Sequence, residues 1–277
     1  MIEVSNIQFS YAGSKHRIFD NFSLTLKENN IYGLLGKNGT GKSTLLYLLS
    51  GLLRPQQGNI LIDGVESKLR RADILSELFI VPEEFDLPAL SLDEYLKLNE
   101  SFYPRFSREL LNKCLIDFEL PPVMKLNQLS MGQKKKVYMS FALASGVKLM
   151  LMDEPTNGLD IPSKSQFRKV IAQNMTDDRT LIISTHQVHD VEQLLDHIII
   201  LDQQQLLLNS SVADICDNYV FDFCKPGEQY DDIIYEEPSL QGKAVIRPRR
   251  EGMEETPMNL ELLFDAVVSG KIKTAEQ

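Results

Sequence analysis

The residues that could carry out chemistry are concentrated in one run, GKNGTGKST, from Gly36 to Thr44. The run fits the spacing G-x-x-x-x-G-K-[ST], with Gly36, Gly41, Lys42 and Ser43 at the fixed positions. Glycines let a backbone fold tightly around a polyphosphate, and successive N–H groups then point at the anion. In such a loop the lysine reaches the β- and γ-phosphates, and the serine hydroxyl ligates Mg²⁺. The run therefore predicts a phosphate-binding loop.

The neighbouring residues support this prediction. An apolar stretch from Ile31 to Leu35 predicts a strand before the loop, and TLLYLLSGLL, residues 44–53, predicts a helix after it. A helix N-terminus adds partial positive charge at the phosphates. The residues predicted to contact nucleotide phosphates are Gly36, Lys37, Asn38, Gly39, Thr40, Gly41, Lys42, Ser43 and Thr44.

Two further apolar runs end in residues that suit phosphate chemistry. VKLMLMDEP predicts a strand buried on both faces, with Asp153 and Glu154 at its carboxyl end. LIISTH predicts another buried strand that ends at His186, and ligands gather at such strand ends in open α/β sheets. We expect Asp153 to approach the metal and Glu154 to polarise a water molecule aimed at the γ-phosphate. The three strand ends would then converge on one triphosphate.

The order of the elements predicts an α/β fold with a mixed, mostly parallel sheet. Ile2–Phe9 and Phe19–Leu26 alternate apolar and polar residues, which predicts antiparallel strands. Apolar residues at helical spacing dominate residues 91–144. Buried strands then alternate with helices, and one of these helices is predicted at residues 189–196. This alternation implies parallel strands joined by crossover helices.

The pattern changes after about residue 208. Half-exposed strands and a closing amphipathic helix, NLELLFDAVV, predict a small α+β extension. We therefore predict a main domain over residues 1–208, with a helical subdomain at about 85–140, and an extension over 209–277.

Composition excludes several classes of protein. The net charge of −10 argues against sequence-independent nucleic-acid binding, which needs a basic surface. No apolar run approaches the ~20 residues of a membrane span, and the first residues do not resemble a signal peptide. The three cysteines lack metal-site or disulfide spacing and predict reduced thiols in a cytosolic protein. The basic run Lys134–Lys136 is predicted to be a solvated helix face.

Taken together, the motifs resemble those of the ATP-binding subunits of ABC transporters. Besides the phosphate loop, the chain has LSMGQ at Leu129–Gln133, LMLMDEP at Leu149–Pro155, NGLD at Asn157–Asp160, and His186. This resemblance implies a P-loop NTPase fold with an inserted helical subdomain. It also implies that two such domains pair head to tail and sandwich two ATP molecules. The LSMGQ segment of one copy, called the signature below, would face the phosphate loop of the other.

The resemblance assigns roles to residues that the motif chemistry alone does not. Ser130, Gly132 and Gln133 would contact the γ-phosphate across the dimer. Asp160 would lie in the loop that couples the two sites, and Tyr11 would stack on adenine. Lys42, Glu154 and His186 would be the catalytic groups, with His186 holding the γ-phosphate. The metal would be held by Ser43, Asp153 and Glu83.

The chain departs from the family pattern at two positions. Met131 replaces the first glycine of the signature, so we expect changed packing there. Glu83 stands where the family usually has Gln, and a carboxylate binds Mg²⁺ better but opposes a nearby γ-phosphate. We expect Glu83 to increase the metal dependence and to slow turnover.

The resemblance implies an ATPase that uses ATP and Mg²⁺ and powers transport through separate transmembrane permease subunits. Its partners would be ATP, a second copy of itself or a related subunit, and those permeases, with no nucleic acid. It would be cytoplasmic and peripheral on the inner face of the cell membrane. The closing helix is similar to the tail of export-type resistance subunits. The alternatives are a soluble ABC protein that acts on ribosomes or DNA, and an ATP-gated interaction module with weak hydrolysis.

Overall fold

Strands in which apolar and polar residues alternate and strands that are buried on both faces form separate sheets. The computed structural model describes residues 1–225, 227, 230–240 and 242–272 of the 277-residue chain. Its strands are β1 (Ile2–Phe9), β2 (Phe19–Leu26), β3 (Ile31–Leu35), β4 (Gln57–Ile62), β5 (Val65–Glu66), β6 (Leu78–Val81), β7 (Leu149–Asp153), β8 (Thr180–Thr185), β9 (His197–Asp202), β10 (Gln205–Ser211), β11 (Tyr219–Cys224), β12 (Tyr235–Ser239) and β13 (Gly242–Pro248). Its α-helices are α1 (Lys42–Leu49), α2 (Ala72–Leu75), α3 (Leu92–Asn99), α4 (Arg108–Asp117), α5 (Met131–Ala144), α6 (Ile161–Asn174), α7 (Val212–Asn218) and α8 (Leu260–Val268).

The central sheet has the strand order β10-β9-β3-β8-β7-β6. Strands β9, β3, β8, β7 and β6 run parallel, and β10 joins the edge antiparallel to β9. Every residue of β7 and β8 is buried, which explains why both were continuous apolar runs. The predicted mixed, mostly parallel sheet is confirmed.

The amino-terminal strands form a separate antiparallel sheet with the order β2-β1-β4-β5. Asp63 and Gly64 turn the chain between β4 and β5 with φ angles of 50° and 78°, which is the left-handed backbone that an Asp-Gly hairpin turn requires. The inner face of this sheet packs on α1 and the central sheet. The phosphate loop therefore lies between two sheets that share a core.

The helical region between β6 and β7 contains α3, α4 and α5, as the 3.6-residue spacing predicted. Helix α1 is shorter than predicted and ends at Leu49, because Gly51 adopts a left-handed φ of 69° and turns the chain.

The predicted helix over residues 189–196 is wrong. Two 3-10 turns, Val188–Asp190 and Glu192–Leu194, occupy this segment instead. The end of the segment is held by the sheet, because Ile31 N donates to Asp196 Oδ2 at 2.9 Å and Asp196 N donates to Ile31 O at 2.9 Å. These contacts hold the end of the short crossover in a non-helical conformation.

The carboxyl-terminal residues form a third sheet, β11-β13-β12, and the helix α8. Side chains of β11, β13 and α8 join the hydrophobic core of the central sheet. Strand β10 continues to Ser211 on the central sheet, so the predicted division after residue 208 falls inside this strand. Residues 273–277 of the predicted extension lie outside the described residues. Within the part of the chain that is described, no helix has the length and apolarity needed to cross a bilayer.

Candidate active site

The phosphate loop connects β3 to α1 and is shaped by close packing at its glycines. Gly41 has a φ of 102°, and a Cβ atom there would lie 2.8 Å from the Ile18 side chain. A Cβ on Gly36 would lie 2.6 Å from the carbonyl oxygen of Leu201. The two glycines therefore let the loop turn where larger residues would clash, and the first backbone N–H groups of α1 are left for an anion.

Lys42 opens α1 and lies almost completely inside the loop, with 6% of its surface exposed. Its Nζ donates to Gly36 O at 2.8 Å and to Lys37 O at 3.2 Å, and lies 3.9 Å from Glu154 Oε1. Desolvation lowers the pKa of Lys42, while the carboxylates of Glu154, Asp153 and Glu83 act in the opposite direction. The ammonium is thus positioned by backbone carbonyls beside a carboxylate.

Asp153 and Glu154 lie at the carboxyl end of β7 and are both buried. The Ser184 hydroxyl, on β8, donates to Asp153 Oδ1. Glu154 has a left-handed φ of 43°, a conformation that costs a residue with a Cβ on the order of 1–3 kcal/mol. Its backbone N–H donates to Ser184 O at 3.0 Å, which fixes the turn to the neighbouring strand.

The carboxylate of Glu154 is held by the end of β8. Thr185 Oγ1 lies 3.0 Å from Oε2, and the backbone N–H of His186 donates to Oε1 at 3.1 Å. The imidazole Nδ1 of His186 lies 2.7 Å from the same Oε1. Two of the predicted catalytic residues are therefore in direct contact.

A cavity of about 540 Å³ opens above the phosphate loop. It brings together predicted site residues from five segments of the chain: Tyr11, Asn38, Gly39, Gly41, Lys42, Ser43, Thr44, Glu83, Glu154 and His186. Ile18 and Asn157 complete the lining. The Tyr11 hydroxyl lies 3.0 Å from Thr44 Oγ1, and the ring packs edge-on against Phe9 with 44% of the residue exposed.

The remaining loop residues lie beside this cavity. Thr40 Oγ1 donates to Lys37 O at 2.9 Å and so stabilises the loop. Gly36 and Lys37 line a second cavity of about 220 Å³ with Phe264 and Asp265 of α8. The carboxyl-terminal helix thus reaches the phosphate loop.

The signature residues and Asp160 do not line the cavity above their own phosphate loop. Ser130 caps α5 by accepting from Gln133 N at 3.3 Å, and Gln133 Oε1 accepts from Ser130 N at 3.0 Å. Ser130 and Gln133 are exposed, and Gly132 is half-buried. Asp160 caps α6 by accepting from Ser163 N at 2.9 Å. A hydrogen bond from the Ser163 side chain, together with this N–H bond, lowers the pKa of the Asp160 carboxyl group.

Sequence reasoning missed several side chains that shape the site. Asn157 Nδ2 donates to Glu83 Oε1 at 2.8 Å, and Ser184 and Thr185 bind the two acidic residues. The predicted solvated face at Lys134–Lys136 is wrong for Lys135, which is 3% exposed. The helical period of the sequence could have indicated that Lys135 is buried, because Lys135 shares a helix face with the apolar residues Met139 and Ala142.

The donors at this site fit a hard divalent cation in the company of phosphate. The Ser43 hydroxyl and the Glu83 carboxylate face one cavity, and the buried carboxylate of Asp153 lies at the neighbouring strand end. Mg²⁺ is usually held by one or two carboxylates together with substrate phosphates and water. Among the described residues there is no cluster of three or more His, Cys, Asp or Glu side chains that could hold a metal ion by themselves.

Comparison with known proteins identifies relatives of this arrangement. The family model described as ABC transporter matches residues 19–157. The ABC transporter ATP-binding protein YtrB of Bacillus subtilis (strain 168) is 27% identical over 222 residues, covering 79% of this chain and 75% of the relative. The linearmycin resistance ATP-binding protein LnrL of the same organism is 31% identical over 222 residues, covering 78% and 71%.

A relative that is named for a different substrate, and two solved structures, are also similar to this chain. The methionine import ATP-binding protein MetN of Carboxydothermus hydrogenoformans is 30% identical over 231 residues, covering 78% of this chain and 67% of the relative. The dimeric structure of the bacterial ABC transporter cassette MJ0796 superposes with a TM-score of 0.67 at 26% identity, covering 76% of this chain and 99% of that one. A post-hydrolysis dimer of that cassette, bound to ADP and Pi, superposes with a TM-score of 0.66.

Proposed function

This chain belongs to the ABC transporter family, and from that premise we propose that two copies pair head to tail around two ATP molecules. The chain is an ATP-binding and ATP-hydrolysing subunit of an ABC transporter. The observation that carries the proposal is the cavity that joins the phosphate loop, Glu154 and His186.

Each side of the cavity has its own task in hydrolysis. Lys42 leaves the carbonyls of Gly36 and Lys37 for the phosphate oxygens and neutralises the charge that develops on them. Glu154 orients the attacking water and accepts its proton. His186 keeps Nδ1 on Glu154 and directs Nε2 at the γ-phosphate. Tyr11 stacks on adenine, and the backbone of residues 36–44 surrounds the phosphates.

Ser43, Asp153 and Glu83 would hold Mg²⁺, and the bound ion would supply positive charge that neutralises the phosphate oxygens. Ser184 orients Asp153 for this purpose by donating to Oδ1. Asn157 orients Glu83 in the same way.

The exposed signature supplies the contacts that only the closed pair possesses. ATP can drive closure only through interactions that the open state lacks. Ser130, Gly132 and Gln133 face away from their own cavity and carry N–H donors at the start of α5, so they bind the γ-phosphate of the partner copy. Asp160 couples the two sites.

The closure acts on separate transmembrane permease subunits from the cytoplasmic face of the membrane. A groove of about 610 Å³ lies between β6 and the helical region, and its lining includes Leu52, Phe79 and Tyr138. This groove receives a segment of the permease, so that motion of residues 85–140 is transmitted to the membrane. The extension after residue 208 packs against the main domain, and its resemblance to resistance subunits favours export.

Replacing Glu154 by Gln tests the proposal. The amide cannot accept the proton of water, so we expect hydrolysis to fall by roughly 10²–10⁴-fold while ATP binding is retained. The variant should accumulate as a closed dimer with MgATP, which size-exclusion chromatography with light scattering measures. Glu84→Gln, a change at an exposed neighbour of Glu83, is the matched control and should behave as the wild type. Normal turnover by Glu154→Gln would overturn the assignment.

A further inference from the structure

One lysine of the run Lys134–Lys136 is inside the protein. Lys134 pairs with Asp86 at the surface, and Lys136 donates to Gln166 Oε1 at 2.7 Å. Lys135 is only 3% exposed. Burying an ammonium group costs free energy unless it is hydrogen-bonded, so its partners indicate why it is there.

The ammonium of Lys135 binds the segment that carries Glu154. Nζ donates to Asn157 O at 2.7 Å and to Glu154 O at 3.1 Å. Both acceptors are backbone carbonyls, so the bonds fix the path of the main chain and leave the Glu154 carboxylate to its contacts with β8. Burial lowers the pKa of Lys135, while the carboxylates of Glu83, Glu154, Asp153 and Glu84 raise it.

The fixed segment is the strained turn of the site. Glu154 adopts a left-handed φ of 43°, and Asn157 N donates to Glu154 O at 3.1 Å to close the turn. A strained conformation persists only where surrounding contacts over-determine it. Lys135 supplies two of those contacts from a different element, α5.

Helix α5 connects this contact to the signature. Ser130 caps the helix, and Lys135 follows five residues later, which is about 7.5 Å along a helix axis. A displacement of the signature end of α5 would therefore move the Lys135 ammonium as part of one rigid element. Asn157 extends the chain of contacts to Glu83 through its side chain.

We propose that Lys135 is a positioning residue for hydrolysis, which holds the Glu154 turn and ties it to the helix that contacts the partner's nucleotide. The proposal rests on the proposed function, because it requires Glu154 to act on water and the signature to act across the dimer. In each copy, Lys135 thereby keeps Glu154 over the ATP bound by that same copy.

Lys135→Met tests this inference in the purified full-length protein. Methionine keeps the length and helix propensity of the side chain but has no donor and no charge. We expect kcat to fall about tenfold or more, because small misplacements of a reacting group have large effects on rate. KM for ATP and the affinity for a fluorescent ATP analogue should change less than about twofold, since Lys135 does not line the nucleotide cavity.

Lys136→Met, the same change one residue along the same helix, is the matched control and should retain wild-type kcat. Lys135→Gln restores an N–H donor without the charge and should recover part of the lost rate. It also serves as the test variant if Lys135→Met does not fold, and in that role it should have a kcat below that of Lys136→Met.

A double variant separates this inference from the function on which it rests. If Lys135 acts through Glu154, then Lys135→Met with Glu154→Gln should hydrolyse no more slowly than Glu154→Gln alone. Normal turnover by Glu154→Gln would refute the proposed function itself. A loss in Glu154→Gln, together with equal kcat values for Lys135→Met and Lys136→Met, would refute only the role of Lys135.

Discussion

At the scale of single residues, Glu83 distinguishes this site from the pattern that its family resemblance implied. Its carboxylate is half-buried at the end of β6 and accepts a hydrogen bond from Asn157 Nδ2 at 2.8 Å. It acts on the pKa values of Lys42 and Lys135 through its negative charge. Glu83 therefore adds a third carboxylate to a site that must accept a triphosphate.

Replacing Glu83 by Gln should reduce the magnesium dependence of ATP hydrolysis and increase its rate. The amide keeps an acceptor for Asn157 but removes the charge that opposes the γ-phosphate. We expect a two- to fivefold increase in kcat, equivalent to about 0.4–1 kcal/mol of barrier. Magnesium titrations of the steady-state rate measure both effects.

Glu84→Gln is the control, because Glu84 is exposed and lies one residue further along the same loop. Unchanged magnesium dependence and rate in Glu83→Gln would remove the role of this residue. A wild-type protein that binds ATP and dimerises with little turnover would favour the alternative of an interaction module.

Residue types at fixed spacing allowed much of the cavity to be predicted, whereas its supporting contacts could not be. Lys42, Ser43 and Glu154 are recognisable because phosphate chemistry demands those side chains. Lys135 acts through hydrogen bonds to backbone carbonyls, and Asn157 acts through one hydrogen bond from its side-chain amide. Many residue types could supply such contacts. Such contacts can be identified only from the tertiary structure, because they join residues that are distant in the sequence.

At the scale of elements, the strands were predictable and the crossover before β9 was not. Buried parallel strands are marked by continuous apolar runs, and β7, β8 and β9 followed that rule. Residues 189–196 have the composition of a helix, yet contacts from outside the segment decide its conformation. Glu192 Oε1 accepts from Leu260 N at 2.7 Å, a bond to α8 that local sequence does not reveal.

Helix α8 is held against the segment after His186 and lines a cavity beside the phosphate loop. His189 Nε2 lies 2.8 Å from Glu261 Oε2, and Asp265 shares a cavity with Lys37. Burial is the largest cause that raises the pKa of Asp265, followed by a hydrogen bond to Glu237 and the charges of Glu237 and Glu261, whereas Lys37 lowers it. The folded protein therefore holds a proton on Asp265 at a pH where the unfolded chain has released it.

Asp265→Asn should stabilise the protein at neutral pH. Because the pKa of Asp265 is raised on folding, its contribution to stability is favourable at low pH and is lost as the pH rises through the folded pKa. Asparagine donates to Glu237 without acquiring a charge. We expect a higher Tm than the wild type at pH 7, and a difference that disappears below about pH 3, where Asp is protonated in both the folded and the unfolded state.

Thermal unfolding followed by circular dichroism measures this effect. Asp177→Asn, on an exposed turn before β8, is the control and should leave Tm unchanged at both pH values. A Tm for Asp265→Asn that equals or falls below the wild-type value at pH 7 would contradict the expected cost of this carboxylate.

At the scale of the whole molecule, each phosphate loop is predicted to lack half of its site. The signature at the start of α5 and the cavity above the loop are separate surfaces of one chain. A two-fold dimer can join them, because the same patch on each copy then meets its complement on the other. A Cβ on Gly132 would make only ordinary van der Waals contact, at 3.5 Å, with Leu159, so the backbone leaves room for a side chain to begin at this position.

Mixing two inactive variants tests this shared site. Lys42→Ala removes the phosphate-binding ammonium, and Gly132→Asp places a carboxylate against the partner's γ-phosphate, so each variant alone should hydrolyse little ATP. In a mixed dimer both defects fall on one site, and the other site is intact. An equal mixture should therefore recover about a quarter of the wild-type rate, because half of its dimers are mixed and each has one active site.

A mixture of Lys42→Ala with Lys42→Ala/Gly132→Asp contains no intact site and should stay inactive. If the first mixture is also inactive, or if Gly132→Asp alone is as active as the wild type, then one copy does not complete the site of another.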